Sequence, residues 1–169
     1  MVITVLILAL VTLQRLSELL LAKRNTSRLL AMGAKEMAHG HYPVMVVMHA
    51  AWLAGLWVLA PGRSVFAVPL VAYLLLQPMR LWILATLGPR WTTRIIILPG
   101  APLVRHGPYR FISHPNYVVV VAEIALLPLA FGLPWFALLF SLANAAVLFV
   151  RIRSENEALA GAAPVEASL

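Results

Sequence analysis

Apolar runs long enough to cross a lipid bilayer decide what this chain can fold into. Val2–Ala22, Pro43–Ala60 and Ser64–Leu87 are each close to the roughly 20 residues that cross the hydrocarbon as a helix. Tyr117–Phe131 and Pro134–Val150 follow, parted only by a turn at Gly132 and Leu133. In lipid every backbone polar group must be satisfied internally, so such runs become helices. With 62% of residues hydrophobic and 11% charged, the chain is far more apolar than a soluble domain. The expectation is an all-α polytopic membrane protein in a single domain over residues 1–169, with about five transmembrane helices. Residues 2–87 hold three spans. Residues 88–159 hold a polar segment, a C-terminal helical hairpin and an acidic tail segment, and 160–169 read as a frayed tail.

Local signals refine this outline. Met1–Ala22 lacks a basic start and a small-residue cleavage site, so it reads as a retained span and not a signal peptide. Lys23–Tyr42 mixes Leu29, Leu30, Met32 and Met37 with Arg28, Lys35 and Glu36. That pattern suits a short helix lying on the membrane surface, interrupted at Gly33. Pro61-Gly62-Arg63 is a tight turn that makes the second and third spans antiparallel neighbours. Pro69 and Pro78 should kink the third span. Ile95–Leu98 is β-branched, too short to span and ended by Pro99-Gly100, so it reads as an extended stretch across the active face. The first hairpin arm, at about 22 Å as a helix, is shorter than the hydrocarbon is thick and should be tilted or partly sunk.

Polar residues within the spans need partners. Arg15 and Glu18, three apart, share a face and can form an interfacial ion pair. Arg80, deep in the third span with Gln77 nearby, is either a structural partner of another charge or a wall of a polar pocket. Glu123 and Asn144 should face away from lipid, and His49 reads as a hydrogen-bonded packing residue rather than a ligand. His39 and His41 flank Gly40, but no cysteine or carboxylate completes a metal set, and no metal is expected.

Charge sets the orientation. The formal net charge is +7, which in a soluble chain would suggest nucleic acid, but here it belongs to loops. Lys23, Arg24, Arg28 and Lys35 lie in the first loop, and Arg90, Arg94, Arg105 and Arg110 lie in the third. Arg151 and Arg153 follow the last span, whereas Arg63 is alone in the second turn. This asymmetry places the first and third loops and the C-terminus in the cytoplasm, with the N-terminus outside the cell inner membrane. The densest polar run, Arg105–Tyr117, is on the cytoplasmic side. It turns at Gly107-Pro108 and opens a helix at His114-Pro115. A polar loop entering a membrane helix is a place to hold a small polar ligand beside a lipid-soluble one.

The chemistry is narrowed by what is missing. The chain has no aspartate and no cysteine, with Asp and Glu totalling 6. Two-carboxylate glycoside hydrolysis and Mg²⁺-dependent phosphoryl transfer call for more carboxylates on the polar face. No Gly-rich nucleotide loop and no His-Glu-x-x-His occurs. Imidazole, guanidinium, phenol and the carboxylates of Glu155 and Glu157 remain. They suit a reaction that needs positioning more than acid-base work, such as methyl transfer from a sulfonium. An Arg, His and Tyr loop that only anchors the hairpin is the alternative at this point.

Leu103-Val104-x-x-Gly107-Pro-Tyr109, His114-Pro-x-Tyr117, a short apolar hairpin and Arg151-x-x-x-Glu155-x-Glu157-x-Leu159 together resemble the isoprenylcysteine carboxyl methyltransferase family of integral membrane enzymes. The N-terminal Gln14-Arg15-x-x-Glu18-Leu19, Lys23-Arg-Asn25, Gly33-Ala-x-Glu36 and His41-Tyr42-Pro43 are similar to a bacterial branch. Members of that branch are associated with methylating long-chain alkylpyrones and alkylresorcinols. The resemblance implies S-adenosylmethionine as cofactor, held by Leu103, Val104, Tyr109, His114, Pro115, Asn116, Tyr117 and Glu155. It implies that Arg151 holds or polarises the acceptor, so Arg151 and Glu155 are the expected catalytic pair. Ser113 stands where the family usually has a basic residue, and the chain fades after Leu159 where eukaryotic members continue. The implied partners are membrane lipid and a lipophilic acceptor entering from the bilayer, with its oxygen on a phenol, enol or carboxylate, or an isoprenylcysteine. A sterol-reductase-like enzyme binding NADPH in a similar segment, and a non-enzymatic membrane scaffold, are the competing readings.

Overall fold

The structure is a computed structural model that describes residues 1–37, 40 and 42–162. The His39 and His41 pair, and the tail from residue 163, lie outside the described residues. Among the described residues the chain forms α1 (Val2–Ala31), β1 (Lys35–Met37), α2 (Tyr42–Leu59), α3 (Ala67–Leu87), β2 (Ile95–Ile97), α4 (Pro115–Ala130) and α5 (Pro134–Ala162). Single 3-10 turns at Gly88–Arg90 and Gly107–Arg110 punctuate the polar segment. Helices α1, α2, α3 and α5 are long and apolar enough to cross a membrane, and α4 is a shorter apolar helix. This is the expected all-α polytopic architecture.

Helix α1 corrects one expectation. The separate surface helix does not exist, because α1 runs on through the basic stretch to Ala31. Lys23 to Ala31 contains no Gly or Pro to stop it. At 30 residues the helix is about 45 Å long, longer than the hydrocarbon is thick. It ends where Gly33 takes φ +89. There the Gly33 amide donates to the Leu30 carbonyl and the Ala34 amide to Leu29, closing the last turn through a left-handed residue. The same pattern of bonds, Gly132 to Leu129 and Leu133 to Pro128, closes α4 and starts the return into α5.

The extended stretch at Ile95–Ile97 forms as expected, but its partner was not foreseen. It pairs antiparallel with β1, with Lys35 opposite Ile97, Glu36 opposite Ile96 and Met37 opposite Ile95. Arg94 Nη1 donates to both Glu36 oxygens at 3.0 and 2.9 Å. Its guanidinium also lies 4.7 Å from the Tyr42 ring centroid. The two-stranded ribbon therefore fastens the end of α1 and the start of α2 to the polar segment.

Two further boundaries differ from expectation. Pro69 falls in the first turn of α3, where its missing N–H removes no helical bond. Only Pro78 lies inside that helix. The charged tail is not a separate element, since α5 carries the last span and residues 151–162 in one helix.

Helices α3, α4 and α5 pack as consecutive neighbours, and α2 packs on α5 rather than beside α3, so the tight turn after α2 does not make the second and third spans neighbours. Leu8 and Val11 of α1, Trp52 and Leu56 of α2, Tyr73 of α3 and Ile124 and Leu127 of α4 form a common core. Trp52 Nε1 donates to the Ile124 carbonyl at 3.3 Å, joining α2 to α4. Leu10, Leu13, Leu74, Leu75, Leu138 and Leu139 point outward and are exposed, as a lipid-facing surface requires. The polar segment closes one end of this bundle. Asn25 Nδ2 holds it there by donating to the carbonyls of Gly88 and Trp91 at 3.1 and 2.8 Å.

Candidate functional site

The site is built from two local spacings that the fold brings together. His114 precedes α4 and Pro115 occupies its first turn, where a proline is preorganised for helix entry. Tyr117 follows within that turn, and its ring stacks on His114 with centroids 5.0 Å apart and planes 12° apart. On α5, Arg151 and Glu155 are one turn apart and share a face. Because α4 and α5 are adjacent, both side chains meet Tyr117. Arg151 Nε donates to the Tyr117 hydroxyl oxygen at 2.8 Å, and that hydroxyl donates to Glu155. His114 Nδ1 lies 3.8 Å from the Glu155 carboxylate. The Arg151 guanidinium lies 5.6 Å from the Tyr117 ring centroid, within range of a cation–π contact. Its Nη1 reaches the Met45 sulfur on α2 at 3.4 Å. Arg151 is thereby buried and held between Tyr117 and Met45, whereas Glu155 stays partly open.

This set forms one wall of a cavity of about 790 Å³, within the usual range for small-molecule sites. β2, Trp91, Thr92, Leu103, Val104 and Tyr109 also line it. Burial, and after it the Glu155 charge, push the Tyr109 phenol up to about 12. It therefore stays a neutral hydrogen-bond donor through ordinary pH. Leu103 and Val104 also wall a neighbouring cavity of about 510 Å³, to which Arg28, Met32 and His106 contribute.

Of the expected cofactor and catalytic residues, Leu103, Val104, Tyr109, His114, Asn116, Tyr117, Arg151 and Glu155 all line the larger cavity. Pro115 is the exception: it is buried at the start of α4, outside the lining, and shapes the site from behind. β2 lines the cavity, in keeping with its reading as a stretch across the active face, whereas Trp91 and Thr92 line it without having been expected. Trp91 is held there by Asn25, 66 residues away, which leaves no local pattern to read. Met45, deep in an apolar run, gave no signal as a support for Arg151.

The structure also settles Arg80. It is a structural partner and lies outside the cavity lining. Its Nε and Nη2 donate to the two oxygens of Glu18, and its Nη1 donates to Glu123 at 2.7 Å. Arg15 Nη2 reaches the same Glu123 oxygen at 2.8 Å and Arg15 Nη1 reaches Glu18 at 3.1 Å. Gln77 adds a bond to Glu123 at 3.0 Å. Two guanidiniums and two carboxylates on α1, α3 and α4 thus neutralise one another inside the bundle. Arg15 and Glu18 do pair, but as half of a buried box rather than as an interfacial pair. His49 is hydrogen-bonded, as expected, through Nδ1 to the Met45 carbonyl at 2.8 Å.

The profile of the isoprenylcysteine carboxyl methyltransferase (ICMT) family matches residues 67–161. That range takes in α3, the polar segment, α4 and nearly all of α5. The chain is also similar to the uncharacterized protein YpbQ of Bacillus subtilis strain 168. The two are 37% identical over 159 residues, which is 91% of this chain and 95% of that one. No solved structure matches it.

Proposed function

The chain belongs to the isoprenylcysteine carboxyl methyltransferase family, and we propose that it moves a methyl group from S-adenosylmethionine to an oxygen of a lipophilic acceptor. The observation that carries this reading is the linked set Arg151–Tyr117–Glu155, with His114 stacked on Tyr117, at the wall of a cavity large enough for a nucleoside amino acid. The donor set fits the cofactor. A partly open carboxylate at Glu155 can accept from ribose hydroxyls or an ammonium. The faces of His114, Tyr117 and Tyr109 suit an adenine ring or a sulfonium. When bound, the cofactor supplies a methyl group already activated on positive sulfur.

The chain's own residues have to align the acceptor and keep water away. Arg151, fixed by Tyr117 and Met45, presents a guanidinium to the acceptor oxygen. Preset alignment of this kind lowers the barrier by removing the entropy of encounter. Water displaced from the cavity by the bound cofactor and acceptor would strengthen each polar contact within it. The basic loops favour an active face and C-terminus in the cytoplasm and an N-terminus outside the inner membrane. The acceptor enters from the bilayer. Long-chain phenols or enols of the alkylresorcinol and alkylpyrone kind come first, because of the likeness of the N-terminal half to the bacterial branch, and lipid carboxylates or an isoprenylcysteine come second.

Calorimetry on the purified protein in detergent tests the reading. S-adenosylmethionine should bind, and Glu155→Gln should weaken it. Stabilisation by NADPH, with no response to S-adenosylmethionine, would instead favour the reductase reading.

A further inference from the structure

Helix α2 places Met45, His49, Trp52 and Leu56 on one face, at spacings of four, three and four. Trp52 and Leu56 are core residues, and Met45 touches Arg151. His49 is thus on the inward face, one turn from the Arg151 contact, and it is half-buried. Its Nδ1 lies 2.8 Å from the Met45 carbonyl oxygen. A carbonyl oxygen only accepts, so in the neutral ring Nδ1 carries the proton and Nε2 keeps a free lone pair. Nε2 has no hydrogen-bond partner among the described residues. Charge reaches the ring from three other helices, through Arg15 of α1, Arg80 of α3 and Arg151 of α5. Glu18 and Glu123 answer the first two of these.

A second observation points to the same place. Helices α2 and α5 run antiparallel in contact, and two of their contacts bracket this stretch. One is Met45 with Arg151, and the other is Gly55, where an added Cβ would lie 2.6 Å from the Phe136 ring. His49 and Asn144 lie between these points. Asn144 is seven residues before Arg151 and shares its face. It is only 1% exposed, yet neither atom of its amide has a partner. Buried polar atoms are seldom left unmet, and the polar head of an acceptor lying between α2 and α5 would meet them.

We propose that His49 is the catalytic base for methyl transfer and that the acceptor oxygen belongs to a phenol rather than to a carboxylate. The inference rests on the methyltransferase reading and narrows it. The acceptor O–H bond breaks and its proton goes to His49 Nε2. The oxygen electron pair forms the new O–CH3 bond as the S–CH3 bond breaks, and the S–CH3 bonding pair stays on sulfur as a neutral thioether. One positive charge enters as sulfonium and one leaves as imidazolium. A carboxylic acid is already ionised at neutral pH and needs no such base.

The test uses the full chain in detergent with 5-pentadecylresorcinol and N-acetyl-S-farnesylcysteine as acceptors. Wild type should methylate the resorcinol in preference to the carboxylate. H49Q should bind S-adenosylmethionine as wild type does by calorimetry, while kcat on the resorcinol falls about 100-fold with KM little changed. Activity of H49Q should recover at high pH, where the resorcinol ionises without help. As a measurement independent of turnover, the ¹⁵N signal of wild-type His49 Nε2, identified by its loss in H49Q, should move upfield when the resorcinol binds. Full activity of H49Q on the resorcinol, an unmoved Nε2 signal, or methylation of the carboxylate alone would overturn the proposal. A wild-type protein that fails to bind S-adenosylmethionine would instead remove the methyltransferase reading beneath it.

Discussion

Arg80 Nη1 of α3 and Glu123 Oε2 of α4 lie 2.7 Å apart inside the bundle, and the same carboxylate oxygen accepts from Arg15 of α1. A single carboxylate therefore ties three helices together. Glu123 is fully buried, so its charge is tolerable only because two guanidiniums answer it.

Glu123→Gln should accordingly leave Arg15 and Arg80 with surplus charge. Breaking a buried pair costs about 3–5 kcal/mol, a large share of the stability of a domain this size. Thermal unfolding in detergent, followed by tryptophan fluorescence, should show a clear drop in midpoint. An unchanged midpoint would mean that the box contributes nothing to stability.

Tyr117 is the hinge of the polar set, since its hydroxyl accepts from Arg151 and donates to Glu155. Tyr117→Phe should release both side chains while leaving the ring stacked on His114. Turnover should fall about 10-fold or more, in line with loss of a charge-assisted hydrogen bond. Calorimetry and steady-state kinetics on the same preparation would show whether cofactor affinity or kcat bears the loss. A variant equal to wild type in both would rule out the positioning role.

Arg151→Lys keeps the charge but loses the planar fork that reaches Tyr117 and Met45 together. We expect a kcat about 100-fold lower with the cofactor dissociation constant nearly unchanged, because Glu155 remains. Weakened cofactor binding with normal kcat would place Arg151 in the wrong role.

Gly107 takes φ +58, and a Cβ there would lie 2.5 Å from Thr86 Oγ1. Gly107→Ala should displace the turn that carries Tyr109 and weaken cofactor binding more than it lowers the unfolding midpoint. Adding Thr86→Ala should restore part of the affinity by relieving the clash, though not the backbone strain. A lack of rescue would show that strain alone is responsible.

Tyr109 has its phenol pushed up to about 12 by burial. The folded protein holds this proton more tightly than the unfolded chain does. The resulting stabilisation is complete below the ordinary tyrosine value of about 10 and is lost as pH rises towards the folded value. An ultraviolet titration of wild type minus Tyr109→Phe should show this phenol ionising near the upper value. Ionisation at the ordinary value would mean that the ring is solvated.

Local order in the chain made much of this legible. Three of the five helices, α2, α3 and α4, begin and end within a few residues of the apolar runs, while α1 and α5 start with theirs and run on through charged residues. His114 with Tyr117, and Arg151 with Glu155, are neighbours through helical spacing alone, so the halves of the site could be read directly. The end of α1 was misplaced because polarity was taken as the boundary. A helix stops where its backbone is capped, and the cap is Gly33.

Hydropathy and helical spacing are one-dimensional signals, and they determined the membrane fold, the spans and the two halves of the polar set. They say nothing about how each helix is rotated against its neighbours. Packing decided that Arg80 answers Glu18 and Glu123 and not a ligand, that Met45 supports Arg151, and that β1 pairs with β2. Each of those contacts joins residues far apart in sequence, and its energy exists only once the helices have docked.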